Sequence, residues 1–304
     1  MPEAVVSVRG LRKSYGATEA VRGIDLEIAA GEVFAFLGPN GAGKTTTVEI
    51  LEGYRERTAG EAEGLGEDPG EAGLAWRERI GIVLQQCRMQ PLLTVRETLE
   101  LYAGYYRAPR PVAETIDLAG LSEVADRRAG KLSGGQQRRL DVAVALIGDP
   151  ELLFLDEPTT GFDPSARRRA WEVIATLHDL GKTVFLTTHY MDEAQELADR
   201  VAIIAGGQIV AEGSPAQLGG RADAASQITF ALPPGKSAEL PPLARAALEG
   251  SPGNGSVRLR SQEPVPLLSE LTRWALDGGV ELAGLEVHRP TLEDVYLELT
   301  GEEG

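Results

Sequence analysis

The segment GPNGAGKTTT, residues 38–47, has the composition and spacing of a loop that binds phosphate groups. It fits the pattern G-x-x-x-x-G-K-[ST] between a strand-like run, EVFAFL, and a helix-like run, KTTTVEIL. Glycines let main-chain N–H groups approach an anion, and the N-terminus of the next helix adds free donors and a positive dipole end. The segment therefore predicts a nucleotide phosphate site formed by Gly38, Asn40, Gly41, Gly43, Lys44, Thr45 and Thr46.

Side chains with distinct chemical roles stand at two places in the sequence. In the loop, Lys44 would contact the β- and γ-phosphates, and the hydroxyl of Thr45 would bind Mg²⁺. Such a loop also needs a carboxylate on a nearby strand, and the run LLFLDEP supplies Asp156 and Glu157. Asp156 fits a Mg²⁺ ligand, and Glu157 is placed to polarise an attacking water. Adjacent carboxylates are common on protein surfaces, so this prediction depends on the apolar run before them and on the phosphate loop.

A second glycine-containing segment, KLSGGQQRRLDVA, occupies residues 131–143. It has the form of another anion-binding loop that opens a helix, because a serine and two glycines precede an apolar-spaced run. Ser133 can cap that helix, and Gly134 and Gly135 would let the backbone close on a phosphate. Taken alone, the same residues favour an ordinary N-capped helix with a glycine turn.

The motifs GPNGAGKTT, LSGGQQ, FLDEP and TTH, in this order, resemble the nucleotide-binding subunit of ATP-binding-cassette (ABC) transporters. The resemblance covers about residues 5–218 and implies an α/β P-loop NTPase core with a helical subdomain, which binds ATP and Mg²⁺. It also implies a head-to-tail pair of subunits, expected to be a homodimer. Each ATP would lie between the phosphate loop of one subunit and Ser133, Gly134, Gly135 and Gln136 of the other.

Four further residues match single positions of the family. Tyr15, in KSYG, stands where the family stacks an aromatic ring on adenine, and His189 matches the histidine that contacts the γ-phosphate during catalysis. Gln85 matches the loop residue that senses Mg²⁺ and the membrane partner, and it would serve both catalysis and the metal. Because Gln86 follows it, that assignment depends on the spacing to LTVRE. Asp163, in GFDP, matches a loop that contacts the second subunit.

The amino-acid composition limits the kinds of molecule that we expect the protein to bind. The formal net charge is −16 and the pI is about 4.7, so we expect no cationic surface for DNA or RNA. An acidic balance is also common in soluble proteins and indicates no partner by itself.

The one cysteine, Cys87, excludes a disulfide within the chain and suits a reducing compartment. No apolar run approaches the roughly 18 to 20 residues that span a bilayer, and the start lacks a signal-peptide pattern. We therefore expect a cytoplasmic protein, held at the membrane face only by a permease chain.

Strand and helix patterns alternate through most of the chain. The strand-like runs are EVFAFLG, RIGIVLQQ, ELLFLDEP, KTVFLTTH and RVAIIAGGQIVAEG, and a helix is predicted after Pro164, ending near Gly181. Residues 94–147 favour helices, whereas residues 58–75 are rich in Gly and Glu and favour a loop. These patterns predict an ATPase domain over residues 1–218, with a helical subdomain at about 90–148.

The rest of the chain is predicted to be a linker, residues 219–226, and a small α+β accessory domain, residues 227–304. A helix is expected near PLLSELTRWAL, because an apolar face is formed by Leu267, Leu271, Trp274 and Ala275. The ending HRPTLEDVYLELTG is similar to that of the daunorubicin-resistance ATPases that serve ABC-2 exporters. This similarity implies export of a drug, lipid or polysaccharide-like substrate through a separate permease.

Other functions remain possible at this stage. A non-transport ABC ATPase could drive a membrane signalling or regulatory complex. Relatives that act on ribosomes or DNA are disfavoured, since the chain has one cassette and no sustained coiled-coil pattern. A nucleotide-binding module without turnover is disfavoured because Glu157 and His189 are both present.

Overall fold

The computed structural model describes residues 4–84, 89–218, 226–233, 239–248, 256–288 and 296. The chain divides into two compact units, residues 1–215 and 216–304. The strands of the first unit are β1 (Ala4–Tyr15), β2 (Thr18–Ala29), β3 (Val33–Leu37), β4 (Ala59–Gly64), β5 (Ile80–Val83), β6 (Leu152–Asp156), β7 (Thr183–Thr188), β8 (Arg200–Ala205) and β9 (Gln208–Gly213). Its helices are α1 (Lys44–Leu51), α2 (Leu74–Arg77), α3 (Val95–Ala103), α4 (Val112–Leu118), α5 (Gly134–Leu146), α6 (Pro164–Asp179) and α7 (Met191–Leu197).

The main sheet of this unit has six strands in the order β5-β6-β7-β3-β8-β9. All neighbouring strands are parallel except β8 and β9. Every residue of β3, β6 and β7 is buried, as expected for parallel strands that are covered on both faces. Because β6, β7 and β3 are neighbours, the segments that follow their carboxyl ends meet at one edge of the sheet, where open α/β sheets bind ligands. The fold class predicted from the sequence is confirmed.

A second sheet, in the order β2-β1-β4, is antiparallel. The sequence patterns gave no prediction for β1 and β2. The predicted loop over residues 58–75 is confirmed for residues 65–73, but it was wrong for residues 59–64, which form β4, and for Leu74, where α2 begins. β4 pairs with β1 through its main chain although only Ala62 and Gly64 are buried. A Cβ on Gly60 would lie 2.3 Å from the carbonyl oxygen of Gly10, so this glycine permits the strand pairing instead of breaking it.

The predicted helical block between residues 94 and 147 is confirmed. It contains α3, α4, α5 and two short 3₁₀ turns, Ser122–Val124 and Ala129–Lys131. These elements form a hydrophobic core of their own, in which Val95, Leu99 and Leu140 are almost completely buried. The block therefore forms a helical subdomain, which contributes α5 to the site described below.

The second unit contains β10 (Ser226–Ala231), α8 (Pro242–Ala246), β11 (Ser256–Ser261), α9 (Pro264–Gly278) and β12 (Ala283–His288). Its antiparallel sheet has the order β11-β10-β12. The predicted apolar face of α9 is confirmed, since Leu267, Leu271 and Ala275 are buried and Trp274 packs against the same core. Residues 219–225 of the predicted linker lie outside the described residues, as do residues 289–304 apart from the buried Tyr296. Ser226 belongs to β10 instead of the linker, because it pairs with Ser261.

Within the described ranges, none of the helices combines the length and apolar character that a bilayer crossing requires.

Candidate functional site

The phosphate loop predicted from the sequence connects β3 to α1. Close packing explains two of its glycines. A Cβ on Gly38 would lie 2.4 Å from the carbonyl oxygen of Ile204, and one on Gly43 would lie 2.6 Å from that of Ala20. Gly43 is also the N-cap of α1, with φ 109°, a conformation that side chains rarely adopt. The loop's exposed surface is formed by Asn40, Gly41 and Thr45, with Thr46 half-buried behind them.

Lys44 extends from the start of α1 across this loop. Its Nζ donates hydrogen bonds to the carbonyl oxygens of Gly38 and Pro39 at 2.7 and 3.1 Å. The same atom lies 3.5 Å from Oε1 of Glu157, and both side chains are buried. Burial lowers the pKa of Lys44, although the neighbouring carboxylates Glu157 and Asp156 oppose this effect. The predicted phosphate-binding cation and the predicted water-polarising carboxylate are therefore direct neighbours.

Glu157 is held at the end of β6 by several groups at once. Its backbone has φ 45°, which is uncommon for a residue with a side chain. Its N–H is fixed by the hydroxyl of Thr187 at 3.0 Å, and the hydroxyl of Thr160 donates to Oε2 at 3.0 Å. Burial would raise the pKa of Glu157, but Lys44, Thr160 and His189 together hold it below its usual value. The carboxylate is thus kept ionised.

Asp156 precedes Glu157 and is also buried. The hydroxyl of Thr187 donates to its Oδ1 at 2.5 Å, and burial together with the charge of Glu157 raises the pKa of Asp156. A nearby cation would favour the charged form of such a carboxyl. In the described part of the chain no three His, Cys, Asp or Glu side chains cluster as metal ligands. One carboxylate with the hydroxyl of Thr45 fits Mg²⁺, which usually takes few protein ligands besides phosphates and waters.

His189 follows the end of β7, the strand between β6 and β3. Its Nδ1 is buried and lies 3.4 Å from Oε1 of Glu157, without the geometry of a hydrogen bond. The ring packs on Tyr190 with 4.1 Å between centroids, and Tyr190 carries the guanidinium of Arg167 at 4.4 Å from its centroid. The structure thus brings together Lys44, Glu157 and His189, which are far apart in the sequence.

Ser133 to Gln136 form the N-terminus of α5. The Ser133 hydroxyl accepts a hydrogen bond from the Gln136 N–H at 3.3 Å, and Gln136 Oε1 accepts one from the Ser133 N–H at 3.0 Å. The predicted cap is therefore confirmed. Ser133 and Gly134 are exposed, and a Cβ on Gly135 would lie 3.6 Å from the Cβ of Ala166 at the start of α6.

Asp163 is the N-cap of α6. Its carboxylate accepts hydrogen bonds from the N–H groups of Ser165 and Ala166, each at 2.9 Å. These bonds hold the pKa of Asp163 below its usual value. The starts of α5 and α6 are therefore two capped helix N-termini that lie side by side.

Tyr15 lies at the end of β1, and 43% of its surface is exposed to solvent. Its ring is flanked by two cations, since Lys13 Nζ and Arg55 Cζ are 5.3 and 5.2 Å from its centroid. Gln85 and Gln86 lie outside the described residues, so the predicted role of Gln85 stays a prediction.

Arg138 is a buried residue of the site that the sequence analysis missed. From the second turn of α5, its Nε donates to the carbonyl oxygen of Pro158 at 2.9 Å and its Nη2 to that of Asp156 at 3.0 Å. Its Nη1 donates to the carbonyl oxygen of Leu84 after β5. The sequence carries one signal of its burial. A spacing of four and then three residues places Arg138 on the same face of the helix as the apolar Val142 and Ala145.

Glu193 is a second buried group that sequence reasoning missed. Its Oε1 accepts hydrogen bonds from the hydroxyl of Thr159 at 2.8 Å and from Trp171 Nε1 at 3.1 Å. Burial raises the pKa of Glu193 despite these bonds. Glu193 lies on α7, the helix that follows His189. Its bond with Thr159 therefore connects α7 to the segment that follows Glu157.

A cavity of about 360 Å³ lies between the P-loop core and the helical subdomain, and its lining includes Glu52, Tyr54, Arg77, Ile82, Tyr102 and Tyr106. Glu52 is 4% exposed, and its Oε1 has no hydrogen-bond partner among the described residues. Burial, with the charges of Asp156 and Glu49, raises the pKa of Glu52 to about 8.

Comparison with known proteins agrees with the motifs. Residues 21–160 match the family model described as ABC transporter, and residues 226–291 match one described as ABC transporter domain-containing protein-like, C-terminal domain. The chain is 36% identical to the daunorubicin resistance ATP-binding protein DrrA3 of Streptomyces coeruleorubidus, covering 100% of this chain and 98% of the relative. It is 39% identical to the Nod factor export ATP-binding protein I of Rhizobium sp. (strain N33), covering 100% and 99%.

Two solved structures share the fold of the first unit. A dimeric post-hydrolysis state of the ATP-binding cassette MJ0796, bound to ADP and Pi, has a TM-score of 0.61 at 28% identity and covers 69% of this chain and 98% of that one. The cbiO1 protein from Clostridium perfringens, part of the ABC transporter complex cbiONQ, has a TM-score of 0.64 at 27% identity and covers 71% and 90%.

Proposed function

The chain belongs to the family of ABC transporter ATP-binding proteins and is an ATPase, and we propose that it energises export through a separate membrane permease. The observation that carries the chemistry is the convergence of Lys44, Glu157 and His189 at one edge of the sheet. Relatives named for daunorubicin resistance and Nod factor export support a drug, lipid or polysaccharide-like substrate. The C-terminal unit would be an accessory domain that follows the ATPase domain and a short linker.

In the proposed complex, the ATP phosphates lie in the loop from Gly38 to Thr46, and Tyr15 stacks on the adenine. Lys44 leaves its carbonyl partners to contact the β- and γ-phosphates. Thr45 and Asp156 would hold Mg²⁺, and Gln85 is the third proposed ligand. When bound, the ion neutralises phosphate charge in the transition state.

Hydrolysis then needs a water in line with the γ-phosphate. Glu157 accepts a hydrogen bond from this water and takes its proton as the oxygen attacks phosphorus. The bond from phosphorus to the bridging oxygen breaks, ADP leaves, and the proton passes to the phosphate product. The position of Glu157 supports this role, because its Oε1 lies 3.5 Å from Nζ of Lys44 and 3.4 Å from Nδ1 of His189, the two groups proposed to contact the γ-phosphate. His189 would orient the γ-phosphate and the water from the side of β7.

We also propose that two copies assemble head to tail. The exposed N-terminus of α5, with Ser133, Gly134 and nearby Gln136, offers main-chain N–H groups and a positive dipole end to an anion. In the dimer this anion is the γ-phosphate bound to the partner, and Asp163 lies in the same contact surface. The assembly would sit on the cytoplasmic face of the membrane through its permease.

The alternative is an ABC ATPase that drives a membrane signalling or regulatory complex. Both functions use the same hydrolysis site, so the site geometry favours neither. The neighbouring gene separates them: a six-helix membrane protein supports export, whereas a sensor or cell-wall regulator supports the alternative.

The proposed catalytic role is tested with Glu157→Gln, which keeps the size of the side chain but removes the base. We expect the ATPase rate to fall by about 100-fold or more, whereas ATP still binds and ATP-dependent dimers accumulate. Turnover and sedimentation in the presence of Mg·ATP measure both effects. Glu172→Gln, an exposed carboxylate on α6, is the matched control. Wild-type turnover in Glu157→Gln would rule out the assigned base.

A further inference from the structure

Arg138 is a buried charge in the second turn of α5, and only 7% of it is exposed. Its guanidinium donates to three main-chain carbonyl oxygens, those of Leu84, Asp156 and Pro158. The carboxylate of Asp141 lies 3.6 Å from Nη1 and balances part of the charge. Burying a guanidinium is costly unless its donors are paired, so these contacts fix its position.

Two of the three carbonyls that Arg138 contacts belong to the residues on either side of Glu157. Asp156 and Pro158 flank a residue whose φ is 45°, a conformation that neighbouring contacts must maintain. A planar guanidinium fixes the relative positions of its acceptors better than a flexible ammonium does. The guanidinium therefore holds the main chain on both sides of Glu157.

The same helix begins at the segment proposed to meet the partner's nucleotide. Ser133 is the N-cap of α5, and Arg138 is five residues further along one continuous helix of 13 residues. A rotation or shift of α5 caused by an anion at its N-terminus would thus move the guanidinium. The carbonyl of Leu84, the residue that follows β5, would move with it.

We propose that Arg138 is a positioning residue through which engagement of Ser133 to Gln136 by the partner's ATP aligns Glu157 for hydrolysis in the same chain. This inference rests on the proposed head-to-tail dimer. Because each chain would sense the other chain's nucleotide, hydrolysis depends on both sites being filled, and the rate rises cooperatively with ATP concentration.

The test compares Arg138→Met with Arg139→Met in the full-length protein. Arg139 is the next residue of α5, and its Nη1 donates to the carbonyl oxygen of Gly120 within the helical subdomain. Both variants lose an arginine–carbonyl interaction, but only Arg138→Met loses the connection to β5 and β6. ATP binding and ATP-dependent dimers are measured in a Glu157→Gln background, and kcat, KM and the Hill coefficient are measured without it.

For Arg138→Met we expect kcat to fall by about 10- to 100-fold, the cost of a misplaced catalytic group. ATP binding and dimer formation should stay within about threefold of their Glu157→Gln parent, and the Hill coefficient should fall towards one. Arg138→Lys retains the positive charge but not the planar group of donors, so it should recover part of kcat. Arg139→Met should keep wild-type kcat and cooperativity.

Equal kcat and Hill coefficients in Arg138→Met and Arg139→Met would overturn the inference. If Arg138→Met fails to fold, Arg138→Lys decides the matter, and wild-type kcat with wild-type cooperativity in that variant would overturn it. Failure of the underlying function is distinguishable, because wild-type protein would then show no ATP-dependent dimers.

Discussion

The buried carboxyl of Glu52 should make the free energy of unfolding decrease as the pH rises. Its carboxyl is 4% exposed beside the cavity between the P-loop core and the helical subdomain, and Oε1 has no hydrogen-bond partner among the described residues. Burial and two neighbouring carboxylates raise its pKa from 4.5 to about 8. The substitution Glu52→Gln keeps the shape of the side chain and removes its titration.

The sign and size of the effect follow from this pKa. Between pH 4.5 and about 8 the folded protein binds a proton that the unfolded chain does not, so the free energy of unfolding decreases as the pH rises. The stabilisation linked to the protonated Glu52 carboxyl is fully present below pH 4.5. It is lost as the pH rises through about 8, and above that value Glu52 causes no further change in stability. Each pKa unit corresponds to about 1.4 kcal/mol. From about pH 5.5 to 8.5, the wild type should therefore lose about 3 kcal/mol that the variant retains.

Urea unfolding at several pH values measures this difference. Of the three tryptophans, Trp76 is buried in the first unit and Trp171 lies on α6, so Trp274→Phe removes the signal of the second unit. Glu100→Gln, an exposed carboxylate on α3, is the control for the loss of a negative charge. The pH dependence of each variant is compared with that of the wild type, because other titrating groups then cancel.

Parallel pH profiles in the wild type and Glu52→Gln would refute the reasoning, because they would show that Glu52 titrates alike in the folded and unfolded chain. A profile that is steeper in Glu52→Gln would be equally contradictory. A flatter profile in Glu100→Gln would show that general charge, not burial, is responsible.

Two further substitutions test separate parts of the site. Ser133→Arg should leave monomeric ATP binding within about twofold of wild type but prevent ATP-dependent dimers, because a bulky cation occupies the contact surface. Sedimentation with ATP measures this, Ser133→Ala controls for the lost cap, and dimers in Ser133→Arg would contradict the cross-subunit role. Thr159→Val removes the hydroxyl that donates to the buried Glu193. The free energy of unfolding should fall by about 1 to 3 kcal/mol, measured against Thr176→Val, which removes a hydroxyl bond within α6 from a half-buried residue. Equal stability of the two variants would show that the Thr159 bond contributes little.

The residues of the candidate site differ in how far they could be predicted. Asp156 and Glu157 stand out because an apolar run precedes them, and Ser133 because a helix pattern follows it. Glu193 carries no such signal, since an acidic residue in a helix is usually exposed. Its burial becomes evident from tertiary contacts such as those with Thr159 and Trp171. The strand β4 was missed for a similar reason, because its stability comes from pairing with β1 and not from apolar side chains.

The sequence by itself determined the chemical groups and their local conformations: a strand, a glycine-rich loop and a helix around Lys44, two carboxylates after a strand, and a capped helix at Ser133. These features can be recognised in contiguous residues, because motif spacing, apolar runs and helix caps are local, although Gly38 and Gly43 are also required by close contacts with Ile204 and Ala20. The tertiary structure decided which groups meet. The order β6-β7-β3 places Glu157 and His189 beside the phosphate loop, and the packing of α5 buries Arg138 against the backbone on either side of Glu157. Such contacts join residues far apart in the chain, and they form only when the sheet and its helices pack into one core.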